Sequence, residues 1–237
     1  NNINILNGDD LKIEEQESIK QEDELKWEDI QIIERIGIGG FAEVFSGKIT
    51  RQDVNNQRDE FDDDDDEDEE KVAIKKLINQ NLTSHNLNEF SSEIEIMRKI
   101  KHPNITKFIG ACTKSPHMCI VTELLEMSLF DLLHNTRLKI SIDIELKVAN
   151  GATNGVSHLH DNNIIHRDLK SANILLDKHF EPRITDFGLS RMKDQSTLTA
   201  GTGTFQWMAP EVIQGKKYDE KSDIYSLAMI FWEIKTG

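Results

Sequence analysis

The apolar positions of this chain change period near its middle. In the first half they cluster or alternate over short runs: "IQIIERIGIGG", "AEVFSGKIT", "KVAIKKL", "ITKFIGACT" and "HMCIVTELL". That rhythm predicts β-strands, the first two joined by a glycine turn. One helix interrupts them. In "NEFSSEIEIMRKIK", Phe90, Ile94, Met97 and the stem of Lys101 recur at i, i+4, i+7 and i+11. Glu93 shares the face of Met97 and Ile100, so one carboxylate points inward. After Glu126 the pattern turns helical: Ile142, Leu146, Ala149, Thr153, Val156 and Leu159 keep helical spacing. Ser222 is placed as the N-cap of a last helix through Ile234. Strands first and helices second predict a two-lobed α+β protein.

Charge refines this picture. The chain has 237 residues and a formal net charge of −15. Asp59–Glu70 holds eleven acidic side chains, and residues 1–26 hold eight acids against three lysines. The rest is therefore close to neutral, so the acidity belongs to two segments. Residues 1–26 read as a disordered acidic lead-in, with order starting at Trp27. Residues 51–70 read as an acidic insert between the second and third strands. No basic patch supports a nucleic-acid partner, no apolar run approaches the roughly 18 residues of a membrane span, and no signal peptide opens the chain. Cys112 and Cys119 form no CxxC, which fits a reducing, cytoplasmic setting. The first residue is Asn, as in a fragment or a processed chain.

The candidate chemistry lies in ordered polar clusters. Gly37-Ile38-Gly39-Gly40-Phe41-Ala42-Glu43-Val44 places glycines between two strands, where backbone amides can approach phosphate oxygens. Ala42 holds the third glycine position of G-x-G-x-x-G and softens the motif. Lys75 ends Val72-Ala73-Ile74-Lys75, on the same strand face as Ala73. In "IIHRDLKSANILL" a polar cluster, His166 to Lys170 and Asn173, is pinned between apolar residues, and buried polar groups need partners or a task. Asp186-Phe187-Gly188 and Ala209-Pro210-Glu211 follow in order.

This set resembles the eukaryotic protein kinases over Trp27 to Gly237. The resemblance implies the two-lobed kinase fold: an antiparallel sheet plus one helix in an N-lobe at 27–122, a hinge at 123–128, and a mainly helical C-lobe at 129–237 that lacks its last helices. It implies ATP and Mg2+ as cofactors and protein substrates with upstream activators as partners. The loop at 37–44, with Ile36, would cover the phosphates. Lys75 would hold them while paired with Glu93. Asp168 would orient the substrate hydroxyl, Lys170 would neutralise the γ-phosphate, and Asn173 and Asp186 would ligate the metal. Val44, Ala73 and Leu175 would sandwich adenine, with Thr122 as gatekeeper and Glu123-Leu124-Leu125 as hinge. Met97, Ile109, His166 and Phe187 would form a stacked column anchored by Asp223. Arg167 would receive an activation-loop phosphate, with Ser196, Thr197, Thr199 and Thr202 as candidates.

The acceptor is expected to be Ser or Thr. "HRDLKSAN" and Thr204 resemble Ser/Thr kinases, whereas "QWMAPEV" and "SDIYSLAMIFWE" resemble tyrosine kinases; the mixture is similar to the tyrosine-kinase-like group, Raf-like and mixed-lineage kinases among them. A pseudokinase scaffold is the alternative, against which stand the intact Lys75, Glu93, Asp168, Asn173 and Asp186. A small-molecule kinase is opposed by "GTFQWMAPE". The resemblance departs at Ala42 and Ala228 and in the short hinge, where a ribose contact from Ser128 or Asp131 is open. It also stops at Gly237, so an exposed apolar face and weak activity are expected of this piece alone. The insert carries neither glycine nor regular ligand spacing for calcium. Lengthening a hairpin loop from about 6 to about 24 residues costs roughly 1.2 kcal/mol, so it reads as a solvated segment with docking of a basic partner as its second use.

Overall fold

A computed structural model describes residues 23–39, 42–50, 69–78, 83–192 and 205–236. The alternating runs of the first half form one antiparallel sheet of β1 (Ile30–Ile38), β2 (Ala42–Thr50), β3 (Glu69–Leu77), β4 (Phe108–Cys112) and β5 (Cys119–Glu123), in the order β1-β2-β3-β5-β4. Register puts Val44 opposite Lys75 and Ala73 opposite Thr122. Ile49, Val72, Ile74 and Val121 are buried on one side of this sheet. The helix α1 (Ser84–Lys99) packs on the other through Phe90, Ile94 and Met97. Thr83 caps it, its hydroxyl accepting from the Asn86 N–H at 3.2 Å. The helix starts four residues before the predicted run and leaves Lys101 outside it.

The acidic run is divided by the fold. Glu69 and Glu70 belong to β3 and pair with Thr50 and Ile49, so the expected insert loses its last two residues to the sheet. Residues 51–68 lie outside the described residues. Order also begins before Trp27. The Leu25 N–H donates to the Ala111 carbonyl at 2.8 Å, and the Ala111 N–H donates to the Asp23 carbonyl at 2.9 Å. The short strap so formed lies along β4, the sheet edge, and satisfies backbone groups that an edge strand leaves open. Both Thr113 donors reach the Glu24 carboxylate, and Trp27 stacks on His117 at 4.3 Å. Gly110 permits this contact, because a Cβ there would sit 2.7 Å from Leu25 Cγ and 2.9 Å from the Asp23 carbonyl. Gly110→Ala should therefore cost about 1–3 kcal/mol, read as a lower Tm in a thermal melt. An unchanged Tm would show that the strap is not seated there.

Beyond β5 the chain becomes mostly helical: β6 (Met127–Ser128), α2 (Leu129–His134), α3 (Ile142–Asp161), β7 (Ile164–Ile165), β8 (Ile174–Leu176), β9 (Pro182–Ile184), β10 (Arg191–Met192), α4 (Pro210–Ile213) and α5 (Lys221–Thr236). Small sheets β6-β8-β9 and β10-β7 bracket the polar cluster of residues 166–173. The predicted extent of α3 agrees, but its buried face differs. Ile142 and Leu146 are exposed, while Val148, Gly151, Ala152, Gly155, Val156 and Leu159 are buried. The reason is close approach: a Cβ on Gly151 would come within 2.4 Å of Pro182 in β9, so the small-residue side of α3 turns inward. Ser222 does not cap α5 either. It lies inside the first turn, its hydroxyl donating to the Asp219 carbonyl at 2.9 Å.

Candidate active site

Two groups of side chains meet between the lobes. The first is built on β3 and α1. Lys75 Nζ donates to both Glu93 oxygens, at 2.7 and 2.9 Å, and to Asp186 Oδ1 at 2.9 Å. Strand alternation aims Lys75 toward α1, and the inward carboxylate of α1 meets it there. The Glu93 side chain is only 7% exposed, and an unpaired carboxylate so buried would be costly. Burial alone would depress the Lys75 ammonium, but Glu93 and Asp186 outweigh it and hold it above its ordinary value. Burial pushes the Glu93 carboxyl up, and Lys75 brings it only part of the way back. Asp186 moves down, first because of the Lys75 charge, with His166 and Lys170 contributing in the same direction.

That last shift has a consequence in acid. The folded Asp186 value lies below its unfolded one, so the unfolded chain holds the extra proton between them. Stability from this contact is present above the ordinary carboxylate range, about pH 4, and is lost as pH falls through the folded value. Asp186→Asn should therefore flatten the loss of stability between about pH 5 and pH 3, measured by denaturant melts at several pH values. An unaltered slope would overturn the assignment.

The second group is built on the loop between β7 and β8. Lys170 Nζ donates to Asp168 Oδ2 at 2.6 Å. Asn173 Nδ2 donates to the Asp168 carbonyl at 2.8 Å and to Asp168 Oδ2 at 3.1 Å. The loop is held from below by α5: Asp223 accepts from the backbone N–H of His166 at 2.8 Å and of Arg167 at 2.9 Å, and from His160 Nε2 at 2.9 Å. These bonds hold Arg167 at φ 73°, a left-handed conformation that a non-glycine residue adopts only when its surroundings enforce it. Asp186 is also left-handed, at φ 65°. The His166 ring donates from Nε2 to the Thr185 carbonyl at 3.0 Å, while Nδ1 accepts from the Asp168 N–H at 3.3 Å. Arg167 itself contacts the Tyr218 hydroxyl and donates to the Leu189 carbonyl at 3.3 Å.

The buried column differs from expectation by one residue. His166 and Phe187 meet edge to face at 5.3 Å, and Met97 shares the cluster of Phe187. Phe108, not Ile109, packs against that cluster; Ile109 sits in the other one, with Ile30 and Val121. Strand β4 carries a bulge between Phe108 and Gly110, so Ile109 does not share the side of Ala111 as plain alternation would have it. Phe108 pairs with Thr122 and faces the same side as it.

The other expected positions fall around the same gap. Ile36, Gly37 and Ile38 end β1, Gly39 follows it, and Ala42, Glu43 and Val44 begin β2. The Gly39 N–H donates to the Ala42 carbonyl at 2.8 Å, and Ile36 and Ile38 are exposed. Val44, Ala73, Thr122, Leu125 and Leu175 are half-buried, as an open slot between two sheets requires. The Glu123 carboxylate accepts from the Lys107 N–H at 2.6 Å and lies 3.4 Å from Arg183. Ser128 and Asp131 bond to each other at the start of α2. Gly40, Phe41, Ser196, Thr197, Thr199 and Thr202 lie outside the described residues.

The donors present suit a divalent metal and a nucleotide. Asp186 and Asn173 offer oxygen, the ligand type that hard cations take, and Lys75 is a cation held 2.9 Å from Asp186. Among the described residues no group of three or more His, Cys, Asp or Glu is placed to hold a metal. Comparison with known proteins agrees with the geometry. The family profile "Protein tyrosine and serine/threonine kinase" matches residues 30–237. The chain is 41% identical to serine/threonine-protein kinase STY17 of Arabidopsis thaliana over 90% of its own length and 35% of that protein's. It is 48% identical to STY46 of the same plant over 70% of itself and 29% of that protein, and 38% identical to CTR1 over 98% of itself and 25% of that protein. The chain thus spans about a third or less of these relatives' lengths, and they support the expected Raf-like assignment. With its lysine–glutamate pair, its catalytic-loop cluster and this matched profile, the chain belongs to the protein tyrosine and serine/threonine kinase family.

Proposed function

We propose that this chain is the catalytic region of an ATP-dependent protein kinase that phosphorylates Ser and Thr. The observation that carries the reading is Asp186, whose carboxylate accepts from Lys75, itself paired with Glu93, on one side and is influenced by Lys170 of the loop on the other. Lys75 binds the nucleotide's phosphates, and Glu93 fixes where it stands. Asn173 and Asp186 would hold the metal, which we take to be Mg2+; when bound, it screens the negative charge of the transferring group. Asp168 orients the acceptor hydroxyl and takes its proton. Lys170, 2.6 Å from Asp168, places a positive charge where charge develops. Phosphoryl transfer depends on positioning and charge more than on covalent catalysis, and this arrangement supplies both.

The Ser/Thr preference rests on Lys170 in the loop and on the names of the relatives. A cytoplasmic setting is part of the proposal: Cys112 and Cys119 are free and buried though they face each other in register, and no described helix is long and apolar enough to cross a membrane. The test is phosphoamino-acid analysis after the full-length protein is incubated with Mg·ATP and a mixed protein substrate. Label on Ser or Thr is expected. Label on Tyr alone would overturn the acceptor assignment, and no label, with ATP bound, would overturn the enzyme.

A further inference from the structure

The two cysteines take no part in the chemistry above. Cys112 of β4 and Cys119 of β5 are direct cross-strand partners, and both belong to the cluster on the sheet face away from α1. Their exposures are 4% and 0%. Directly opposed residues of an antiparallel pair have Cα atoms about 4.5–5.5 Å apart. A disulfide takes Cα atoms about 4.4–6.8 Å apart, so the strands already stand where a bond between these two would put them. The Asp23–Trp27 strap closes this corner. It runs along β4, and its Leu25 and Trp27 pack against the same cluster. Trp27 lies on the His117 ring and under the Lys76 ammonium, which is 4.7 Å from its ring centre; Lys76 is the β3 partner of Cys119. Glu24 is held by both donors of Thr113, one residue past Cys112. The strap also acts on the thiols through charge. Burial pushes Cys119 up to about 12 and also raises Cys112. At Cys112 the Glu24 and Glu28 carboxylates add to the rise, while the Lys114 N–H and ammonium oppose it. Lifting the strap takes away part of the burial and the Glu24 charge, and it leaves the Lys114 groups, which favour a thiolate.

We propose that Cys112 and Cys119 are a redox pair that hydrogen peroxide closes to a disulfide, with the Asp23–Trp27 strap controlling access. Hydrogen peroxide is little larger than water and suits thiols this enclosed; a peptide disulfide such as oxidised glutathione does not. Cys112 attacks first, because it lies at the sheet edge and has the Lys114 groups beside it. Its thiolate takes one peroxide oxygen, the O–O bond breaks, and the released hydroxide leaves as water with the thiol's proton. The Cys119 sulfur then displaces the sulfenic hydroxyl of Cys112, which leaves as a second water with the Cys119 proton. Each sulfur loses one electron, and the peroxide oxygens gain both. Disulfides of reducing compartments are usually transient and redox-sensing, and a pair kept reduced under a cover fits that pattern.

Mass spectrometry tests this directly. The full-length protein is reduced, treated with hydrogen peroxide, quenched with catalase, alkylated in denaturant and digested with trypsin. The bond joins the tryptic peptides Phe108–Lys114 and Ser115–Arg137. That linked pair should appear in the wild type, vanish with dithiothreitol and be absent from Cys119→Ser. In Trp27→Ala, which removes the cover, it should form about tenfold faster. Glu24→Ala, which frees Thr113, should give a smaller gain of about threefold, and it decides if Trp27→Ala does not fold. Cysteines that both still alkylate after peroxide, in wild type and strap variants alike, would overturn the pair. Sulfinic acid on either cysteine with no linked product would overturn it as well. Equal rates in wild type and strap variants would overturn the role of the strap. None of these readouts uses phosphoryl transfer, so the outcome is separate from that of the kinase reading.

Discussion

Asp168→Asn should lower kcat by about two to four orders of magnitude while leaving the affinity for ATP nearly unchanged. The asparagine is close to isosteric, so the backbone bonds that Asp223 makes to His166 and Arg167 remain. What changes is proton chemistry. A carboxylate can take the proton of a substrate hydroxyl and an amide cannot. Lys170 Nζ and Asn173 Nδ2 both point at Asp168 Oδ2, at 2.6 and 3.1 Å. If the amide nitrogen occupies that position, it opposes two donors; if it turns outward, it meets the acceptor hydroxyl with the wrong polarity. In the proposed reading ATP is held by Lys75, whose ammonium contacts Glu93 and Asp186. The measurement pairs steady-state turnover with nucleotide binding by calorimetry. Turnover within tenfold of wild type would remove Asp168 from its role, and a matching loss of ATP affinity would point to a collapsed loop instead.

The sequence made some of this architecture legible and left other parts hidden, for physical reasons. Lys75, Asp168, Asn173 and Asp186 are legible because each sits at a fixed offset inside a short motif, and Glu93 because it is a carboxylate on an apolar helix face; local spacing survives folding. The two lobes were legible because strand and helix periods differ. The errors arose where side or depth had to be chosen. Ile109 and Phe108 are both large and apolar, and only the pairing with β5 tells them apart. On α3 the apolar stripe through Ile142 and Leu146 fitted the helical period, yet the smaller residues Gly151 and Gly155 face β9. Hydrophobicity ranks side chains by cost of exposure, but close helix-to-sheet approach selects for absent side chains, which a periodicity count reads as weak positions. The buried Glu233 of α5 illustrates the same limit for polar groups: its hydrogen-bond partners Trp207, Ser171 and His134 are 26 to 99 residues away, so no local pattern could reveal them.

Lys75→Met should abolish turnover and also cost stability. Removing the ammonium leaves Glu93 and Asp186 without the cation that lies 2.7–2.9 Å from each. Breaking a buried pair on one side costs about 3–5 kcal/mol. The Asp186 side chain is 44% exposed, so water screens part of this, and about 2–4 kcal/mol is the fitting range. For a domain of this size that lowers Tm by roughly 5–12 °C. The deficit should shrink as pH falls from about 7.5 to about 5.5, because Glu93, already raised by burial, rises further without Lys75 and takes up a proton. Lys75→Met combined with Glu93→Gln provides the control. The amide removes the uncompensated charge, so most of the Tm should return while turnover stays absent, since the cation proposed to hold the nucleotide's phosphates from β3 is gone. Thermal melts at two pH values and a kinase assay separate the two effects. A double variant as unstable as the single one would show that the cost lies in lost packing around the lysine stem and not in the buried carboxylate.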